Sequence, residues 1–251
     1  MYAANQLSPV TSHTKPWDPG GTTLYPRHFC PRIVTPILNP PDHPKIPNIT
    51  SNPLVSTMSK YESALARIDA AHADDPRQTE TATPMPYELH YAQKMTSYLS
   101  TLQPDASELL RLAIRAQHLR RWEVPRDSYP ATKIGYHSWR AGLQRRQAAL
   151  VEQMCVESGY SVEEAARVGA LVRKADLKQG DPDTQTLEDV ACLVFLDDQF
   201  DKFETDLNDE EKMVGILQKT WGKMSERGRE EALKINLSEN AQRLVGIALS
   251  G

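Results

Sequence analysis

The chain has 251 residues, of which 39% are hydrophobic and 25% are charged, and its formal net charge is −4. This composition is typical of a globular domain and excludes a collagen, a coiled-coil rod or a disulfide-rich scaffold. Because the charge is nearly balanced, no basic field covers the whole molecule, and the sequence shows no clear nucleic-acid surface.

The first part of the chain is rich in proline. Of 18 prolines, 11 lie between Pro9 and Pro53. Each proline removes an amide donor and restricts its neighbour, so this part cannot extend a helix or a central strand. The sequence therefore predicts a disordered tail over residues 1–56 and a folded domain over residues 57–251. A mitochondrial presequence is the weaker alternative, since no amphipathic arginine-rich helix is visible.

Beyond residue 57, apolar residues recur every three or four positions, and the alternating pattern of strands is missing. This periodicity predicts an all-α fold, a single domain of about eight helices. We expect helices over about 59–73 and 87–102, after Asp105 as far as Pro125, from Gly135 to Gly159, from Ser161 past Val172, from Thr184 to Phe203, and over about 209–224 and 239–249.

Short local patterns mark several helix ends. Ser161 with Glu164 has the spacing of a capping box, and so has Asp105 with Glu108. The Asp181-Pro182-Asp183 sequence is typical of a turn that introduces a helix. We also expect a turn between helices over residues 222–228.

Charge is unevenly distributed along the helical domain. Residues 105–146 hold nine basic and four acidic residues, whereas residues 181–211 hold twelve acidic residues and one lysine. An arginine-rich wall could bind a phosphate or carboxylate substrate in bidentate fashion, with acidic groups opposite that hold a divalent cation. The equally weighted alternative is two solvated faces that pair or aid solubility. The candidate substrate-binding residues are Arg115, Arg120, Arg121, Arg126 and Arg140.

Three histidines of the helical domain are candidate site residues. His90, His118 and His137 lie in successive helical segments, and the imidazole ligands of helical metalloenzymes come from facing helices. We expect His118 to point inward, because apolar residues share its helical face at four-residue steps. A lone inward histidine is more often a hydrogen-bonded core residue. His72 is set aside because it lies at a polar helix end.

The most apolar part of the chain adjoins two acidic residues. Seven consecutive apolar residues, 190–196, follow Glu188 and Asp189, which indicates a helix that is buried on all sides. A buried carboxylate is costly unless it is paired or bound to a metal. We therefore expect Asp189 either to pair with one of the arginines or to bind a metal. Cys155 and Cys192 lie on apolar helical faces, so we expect them to be inert packing residues.

The order of two histidines about 30 residues apart and a late aspartate, all on helices, resembles that of HD-domain phosphohydrolases. The resemblance implies an HD-like scaffold in which His90, His118 and Asp189 hold a divalent metal that activates water for attack on phosphorus. Leu119 stands where the motif has an aspartate directly after the second histidine. A shared scaffold without activity is therefore the alternative.

Four longer strings resemble a domain-of-unknown-function family numbered 4202. They are A-Q-H-L-R-R-W-E-V-P-R at 116–126, G-Y-H-S-W-R at 135–140, Q-T-L-E-D-V-A-C-L-V-F-L at 185–196 and K-T-W-G-K-M-S-E-R-G at 219–228. The resemblance covers about residues 60–249 and is specific, because the strings agree in order. It implies no particular chemistry.

Members of that family are sometimes labelled glutamyl-tRNA synthetases. The K-M-S-E-R string at 223–227 is similar to the K-M-S-K-S loop of class I synthetases, but its second lysine is absent. The sequence also has neither an H-I-G-H motif nor the alternating strands and helices of a nucleotide-binding fold. We therefore expect no aminoacylation.

One leading hypothesis and one alternative of another class follow. The leading hypothesis is a divalent-metal-dependent phosphohydrolase that acts on a small phosphorylated or other anionic substrate. In it Glu188 is the candidate general base, or a carboxylate that orients a metal ligand, and His137 is the proton donor or an additional ligand. The alternative is a non-catalytic helical interaction module. No run approaches 18 consecutive apolar residues and no secretory signal is visible, so we expect a cytoplasmic protein without membrane contact.

Overall fold

The computed structural model describes residues 58–200 and 209–250. These ranges are helical, with no strand beyond an isolated β-bridge between Gln78 and Pro86. The predicted all-α fold is thus confirmed for the described residues. Their nine α-helices are α1 (Lys60–Ala73), α2 (Tyr87–Leu102), α3 (Glu108–Arg115), α4 (Lys133–Glu157), α5 (Val162–Arg173), α6 (Pro182–Val194), α7 (Glu210–Lys223), α8 (Glu226–Ala232) and α9 (Glu239–Ser250).

The chain divides into two units, Met1–Pro53 and Leu54–Gly251. The first unit and the predicted tail over residues 1–56 lie outside the described residues. Phe203, where we expected the sixth helix to end, also lies outside them. All nine helices belong to the second unit.

Side-chain caps place two helix starts as predicted. The hydroxyl of Ser161 accepts the amide of Glu164 at 3.1 Å, and the carboxylate of Glu164 accepts the amide of Ser161 at 2.8 Å, which confirms this capping box. Asp181 caps α6 by accepting the amide of Thr184 at 2.8 Å, with Pro182 in the first turn. These caps satisfy amides that have no partner within the helix.

The third helix is shorter than we expected. It begins after Ser107, whose hydroxyl accepts the amide of Leu110 at 3.2 Å, so the predicted cap at Asp105 is wrong. The helix ends at Arg115 rather than near Pro125. Beyond it the chain forms turns and two short 3₁₀ helices before α4 starts. Residues 116–124 contain no proline or glycine that would break a helix. Contacts of His118 with side chains of α2 therefore end α3, rather than a local signal.

Helix α6 lies at the centre of the helical unit. It packs against α2, α3, α5, α7 and α8, and Val190, Leu193 and Val194 on it have no exposed surface. The predicted burial of this apolar run is confirmed at these positions. Burial of such side chains is the main favourable contribution to folding. After α6 the chain continues as a π-helix over Phe195–Gln199.

The other long helices pack in pairs. The long helix α4 packs along α5, and α9 packs on α7. Cys155 and Cys192 are buried, and burial raises the pKa of Cys155 to about 11 and that of Cys192 to about 12, as suits packing residues. None of the helices in the two described ranges is long and apolar enough to span a bilayer.

Candidate functional site

Five charged or titratable side chains form what we call the central polar cluster: Glu88, His118, Arg121, Lys174 and Glu188. The Nδ1 atom of His118 lies 3.5 Å from Oε2 of Glu88. On its other side, Nη1 of Arg121 lies 2.8 Å from Nε2 of His118. Lys174 forms an ion pair with Glu188, and its charge contributes to the lowered pKa of His118. The Lys174–Glu188 ion pair therefore shares one electrostatic environment with Glu88, His118 and Arg121.

The backbone is strained where it presents two members of the cluster. His118 has a φ of 63° and Lys174 a φ of 54°, both in the left-handed region that favours glycine. Such a conformation costs a side-chain-bearing residue about 1–2 kcal/mol. In the described ranges, Arg120 is the third non-glycine residue with positive φ. Strain of this kind persists only where surrounding contacts hold it, and it concentrates at functional sites.

The ring of His118 is neutral and closely held. It stacks on Tyr91 with ring centroids 4.2 Å apart and planes 10° from parallel. Burial and the charge of Arg121 lower the pKa of His118 to about 4. Because the guanidinium can only donate, Nε2 is the acceptor, and Nδ1 carries the hydrogen that faces Glu88.

Glu88 is a buried carboxylate, and one of its two oxygens accepts no hydrogen bond from the described residues. The residue is 1% exposed. Arg77 donates to Oε1 at 2.7 Å, and Oε2 receives no hydrogen bond in the part of the chain that is described. Burial acts to raise the pKa of Glu88, but His118 and Arg77 outweigh it and hold that pKa below its usual range. The carboxylate is therefore ionised beside the imidazole.

Glu188 forms the other acidic part of the cluster. Lys174 donates to its carboxylate, and Nζ of Lys223 lies 3.6 Å from Oε1. Burial acts to raise the pKa of Glu188, but the two lysines outweigh it and lower that pKa. Glu188, which the sequence predicted as a general base, is thus a buried acid whose partners are two lysines.

The predicted metal ligands do not meet. Nε2 of His90 lies 3.0 Å from Oδ1 of Asp198, whereas His118 belongs to the central polar cluster. Asp189 accepts the amide of Ser225 at 2.8 Å and its hydroxyl at 2.5 Å. Across residues 58–200 and 209–250, no group of three or more His, Cys, Asp or Glu side chains comes together in a way that could hold a metal.

Of the two roles that we expected for Asp189, an arginine ion pair or a metal ligand, the ion pair is not formed in the described ranges. One of its oxygens also accepts from the side-chain amide of Gln185 at 3.0 Å, and no described arginine pairs with it. Two hydrogen bonds from Ser225 at the start of α8 and one from Gln185 within α6 satisfy the buried carboxylate, so a counter-ion is not needed.

The five predicted clamp arginines fall into two groups. Arg115 binds Asp69 through two N–H groups, at 2.6 and 2.9 Å, and Arg120 pairs with Asp74. These two ion pairs join Arg115 and Arg120 to α1 and to the residue that follows it. Within the described ranges, the other three have no carboxylate partner, and they are Arg121, Arg126 and Arg140.

His137 and His72 lie away from the cluster. His137 is exposed on α4, with its ring centroid 5.6 Å from that of Tyr136. His72 lies in the last turn of α1, as expected, but its surroundings are not those of a polar helix end, because the residue has no exposed surface. Its Nε2 lies 2.9 Å from the carbonyl oxygen of Arg115, since α1 packs on α3.

Sequence reasoning missed Glu88 and Lys174. Glu88 stands two positions before His90, on the opposite side of α2, and only the turn of that helix decides which of the two meets His118. Lys174 ends α5 in a left-handed conformation without the usual glycine. A helix end lacking glycine was the available local signal for Lys174.

A model of the family described as Domain of unknown function (DUF4202) matches residues 62–245. The chain belongs to this family. The match contains every member of the central polar cluster, so the cluster is part of the DUF4202 domain. No curated protein and no solved structure gives a significant match. The HD-like scaffold and the synthetase label stay predictions for this DUF4202 chain.

Proposed function

We propose that this DUF4202 protein binds a small phosphorylated molecule at the central polar cluster and hydrolyses its phosphate ester. One observation carries the proposal. A neutral His118 lies between an ionised, buried Glu88 and Arg121, which has no carboxylate partner among the described residues. A histidine with a purely structural role would not need a strained backbone and an open carboxylate oxygen beside it.

Cations outnumber acids around the place where a phosphate would bind. The charges of Arg121 and Lys174 both lower the pKa of His118, and the charge of Arg140 acts on both Arg121 and Glu188. A guanidinium and an ammonium suit the tetrahedral, doubly charged phosphoryl group. In this arrangement Glu188 orients Lys174 and Lys223 rather than binding the anion itself.

The chemistry assigned to His118 is that of a general base. Arg121 turns from Nε2 to the bound phosphate, water attacks phosphorus and its proton passes to the freed Nε2, the bond from phosphorus to the leaving oxygen breaks, and that oxygen takes a proton from solvent. Glu88 stabilises the imidazolium through Nδ1. An anion on Arg121 offsets the charge that lowers the pKa of His118, so substrate binding makes Nε2 a stronger base. The roles of Glu188 as general base and of His137 as proton donor stay predictions. Lysine side chains pair with the carboxylate of Glu188, and His137 is exposed.

The HD resemblance implies a divalent metal, and the arrangement of the residues does not fit one. His90, His118 and Asp189 have separate partners, and both acids of the cluster face cationic side chains. No step is therefore assigned to a metal. Metal analysis of dialysed protein beside His118→Ala tests the prediction on its own: equal and negligible metal in both samples would remove it.

Release of inorganic phosphate from p-nitrophenyl phosphate and a panel of other phosphate monoesters tests the proposal. We expect Glu88→Gln, His118→Gln and Arg121→Gln each to lower kcat/KM by about 100-fold or more. Arg145→Gln is the matched control, because Arg145 is exposed on α4 and has no ion pair within the described ranges. Equal rates in all five proteins, or no release above buffer, would contradict the proposal.

The interaction module predicts a different outcome. In that case His118→Ala lowers the melting temperature as much as another core deletion does, and neither phosphate nor a divalent metal raises that of the wild type. Aminoacylation predicts ATP-pyrophosphate exchange that depends on glutamate, and we expect none.

A further inference from the structure

Three arginines without a carboxylate partner among the described residues lie along the start of α4, in contact with two aromatic rings. The guanidinium of Arg121 lies 5.0 Å from the ring centroid of Trp139. That ring lies 6.1 Å from the ring of Tyr136. The guanidinium groups of Arg126 and Arg140 lie 5.9 and 5.8 Å from the centroid of Tyr136. Through these two rings, Arg121 of the central polar cluster is connected to two outer arginines, Arg126 and Arg140.

These outer arginines are held in place by neutral groups. Arg126 donates to the carbonyl oxygens of Tyr129 and Pro130, both at 2.9 Å. Arg140 donates to the hydroxyl of Tyr136 at 3.2 Å. Neutral acceptors and ring faces orient a guanidinium without cancelling its charge. Both side chains therefore keep a full positive charge and free N–H groups.

The surroundings leave room for a ligand group. Arg126 lines an open cleft with the other residues of the turn, 125–131. Arg140 is exposed and Tyr136 is 40% exposed. Residues 133–151 contain no acidic residue. A dianionic phosphate can accept N–H groups from two arginines at once, whereas a planar carboxylate is matched by one.

We infer that the ligand of this protein is a small bisphosphate, with one phosphate at Arg121 in the central polar cluster and the other between Arg126 and Arg140. This inference rests on the proposed function and names the class of molecule that the cluster receives. The inner phosphate is the one hydrolysed. The outer pair of arginines is a specificity-determining subsite.

Calorimetric titration of the full chain with two matched probes tests the inference. Fructose 1,6-bisphosphate should bind the wild type about tenfold or more tightly than fructose 6-phosphate, since two arginines pair with the additional phosphate. Arg126→Gln should reduce this ratio while leaving the affinity for fructose 6-phosphate unchanged. Arg140→Gln should also reduce the ratio, because it weakens the bisphosphate more than fructose 6-phosphate. Arg121→Gln should weaken both probes, and the control Arg145→Gln should weaken neither.

The outcomes separate this inference from the proposed function. Equal affinity of the wild type for both probes would overturn the bisphosphate and leave the inner site standing. An equal reduction of the ratio by Arg145→Gln would show attraction to the general positive charge of α4 and overturn the subsite. Preference for 3-phosphoglycerate over glycerol 3-phosphate by the same ratio would show that a carboxylate serves equally well, and would overturn the second phosphate. If neither sugar phosphate binds at millimolar concentration, the proposed function itself fails.

Discussion

Glu188 and Asp189 are consecutive residues of α6, yet their carboxylates serve different parts of the molecule. Glu188 pairs with Lys174 in the central polar cluster, whereas Asp189 accepts the amide and the hydroxyl of Ser225 at the start of α8. Successive residues of a helix point in directions about 100° apart, which makes this division possible. One turn of a buried helix therefore fixes both a candidate site and a helix start.

Removal of the Asp189 carboxylate should destabilise the fold. Asp189→Ala leaves the amide and hydroxyl of Ser225 without their buried acceptor, and hydrogen bonds to charged groups contribute about 1.5–3 kcal/mol each. We expect the free energy of unfolding, measured with urea, to fall by about 3 kcal/mol. Glu211→Ala, at an exposed position on α7, is the control and should change it by less than about 0.5 kcal/mol. A loss for Asp189→Ala no larger than that of the control would contradict the capping role.

Two glycines should respond to alanine with opposite signs. A Cβ atom at Gly228 would lie 2.7 Å from Cγ of Asp189, whereas one at Gly222 would meet no atom within 4 Å. Gly228→Ala must displace the buried Asp189 carboxylate and should lower the free energy of unfolding by about 1–3 kcal/mol. Gly222→Ala should raise it by about 0.5–1 kcal/mol, because alanine favours a helix interior. Urea unfolding of the two variants side by side checks the prediction, which fails if both shift the same way.

The helices could be predicted where their signals are local. The capping box of Ser161 and the Asp181-Pro182 start depend on residues within one turn, and the structure has both. The short helix Glu226–Ala232 was missed although it has a local cap, the hydroxyl of Ser225, which accepts the amide of Gly228 at 3.1 Å. Asp189, far away in sequence, in turn accepts from the amide and hydroxyl of that serine. Periodicity also carried the predicted third helix past Arg115. The turn at His118 is instead held by stacking on Tyr91 and by the carboxylate of Glu88, both on α2. No local sequence pattern encodes these contacts.

The candidate site was predicted only in part, for a related reason. His118, Arg121 and Glu188 were chosen because their residue types can carry chemistry, and the structure places all three in one cluster, while the roles predicted for them stay predictions. Their partners could not be chosen, because rotation of a helix by one or two residues exchanges His90 for Glu88 and Asp189 for Glu188. The relative rotation of packed helices depends on the whole core, and the sequence of one helix does not determine it.

Buried neutral histidines should make the protein less stable in mild acid. Burial lowers the pKa of His72, and burial together with Arg121 lowers that of His118 to about 4, while unfolded histidine titrates near 6.5. Between these values the unfolded chain binds protons that the folded chain does not. Stability is therefore complete above about pH 6.5 and is lost as the pH falls through this range. We expect His118 alone to lower the free energy of unfolding by about 2 kcal/mol from pH 7 to pH 5. Urea unfolding at both pH values checks this, with His118→Gln expected to show a smaller loss. Stability that is constant or rises toward pH 5 would mean that the folded protein takes up protons at these rings.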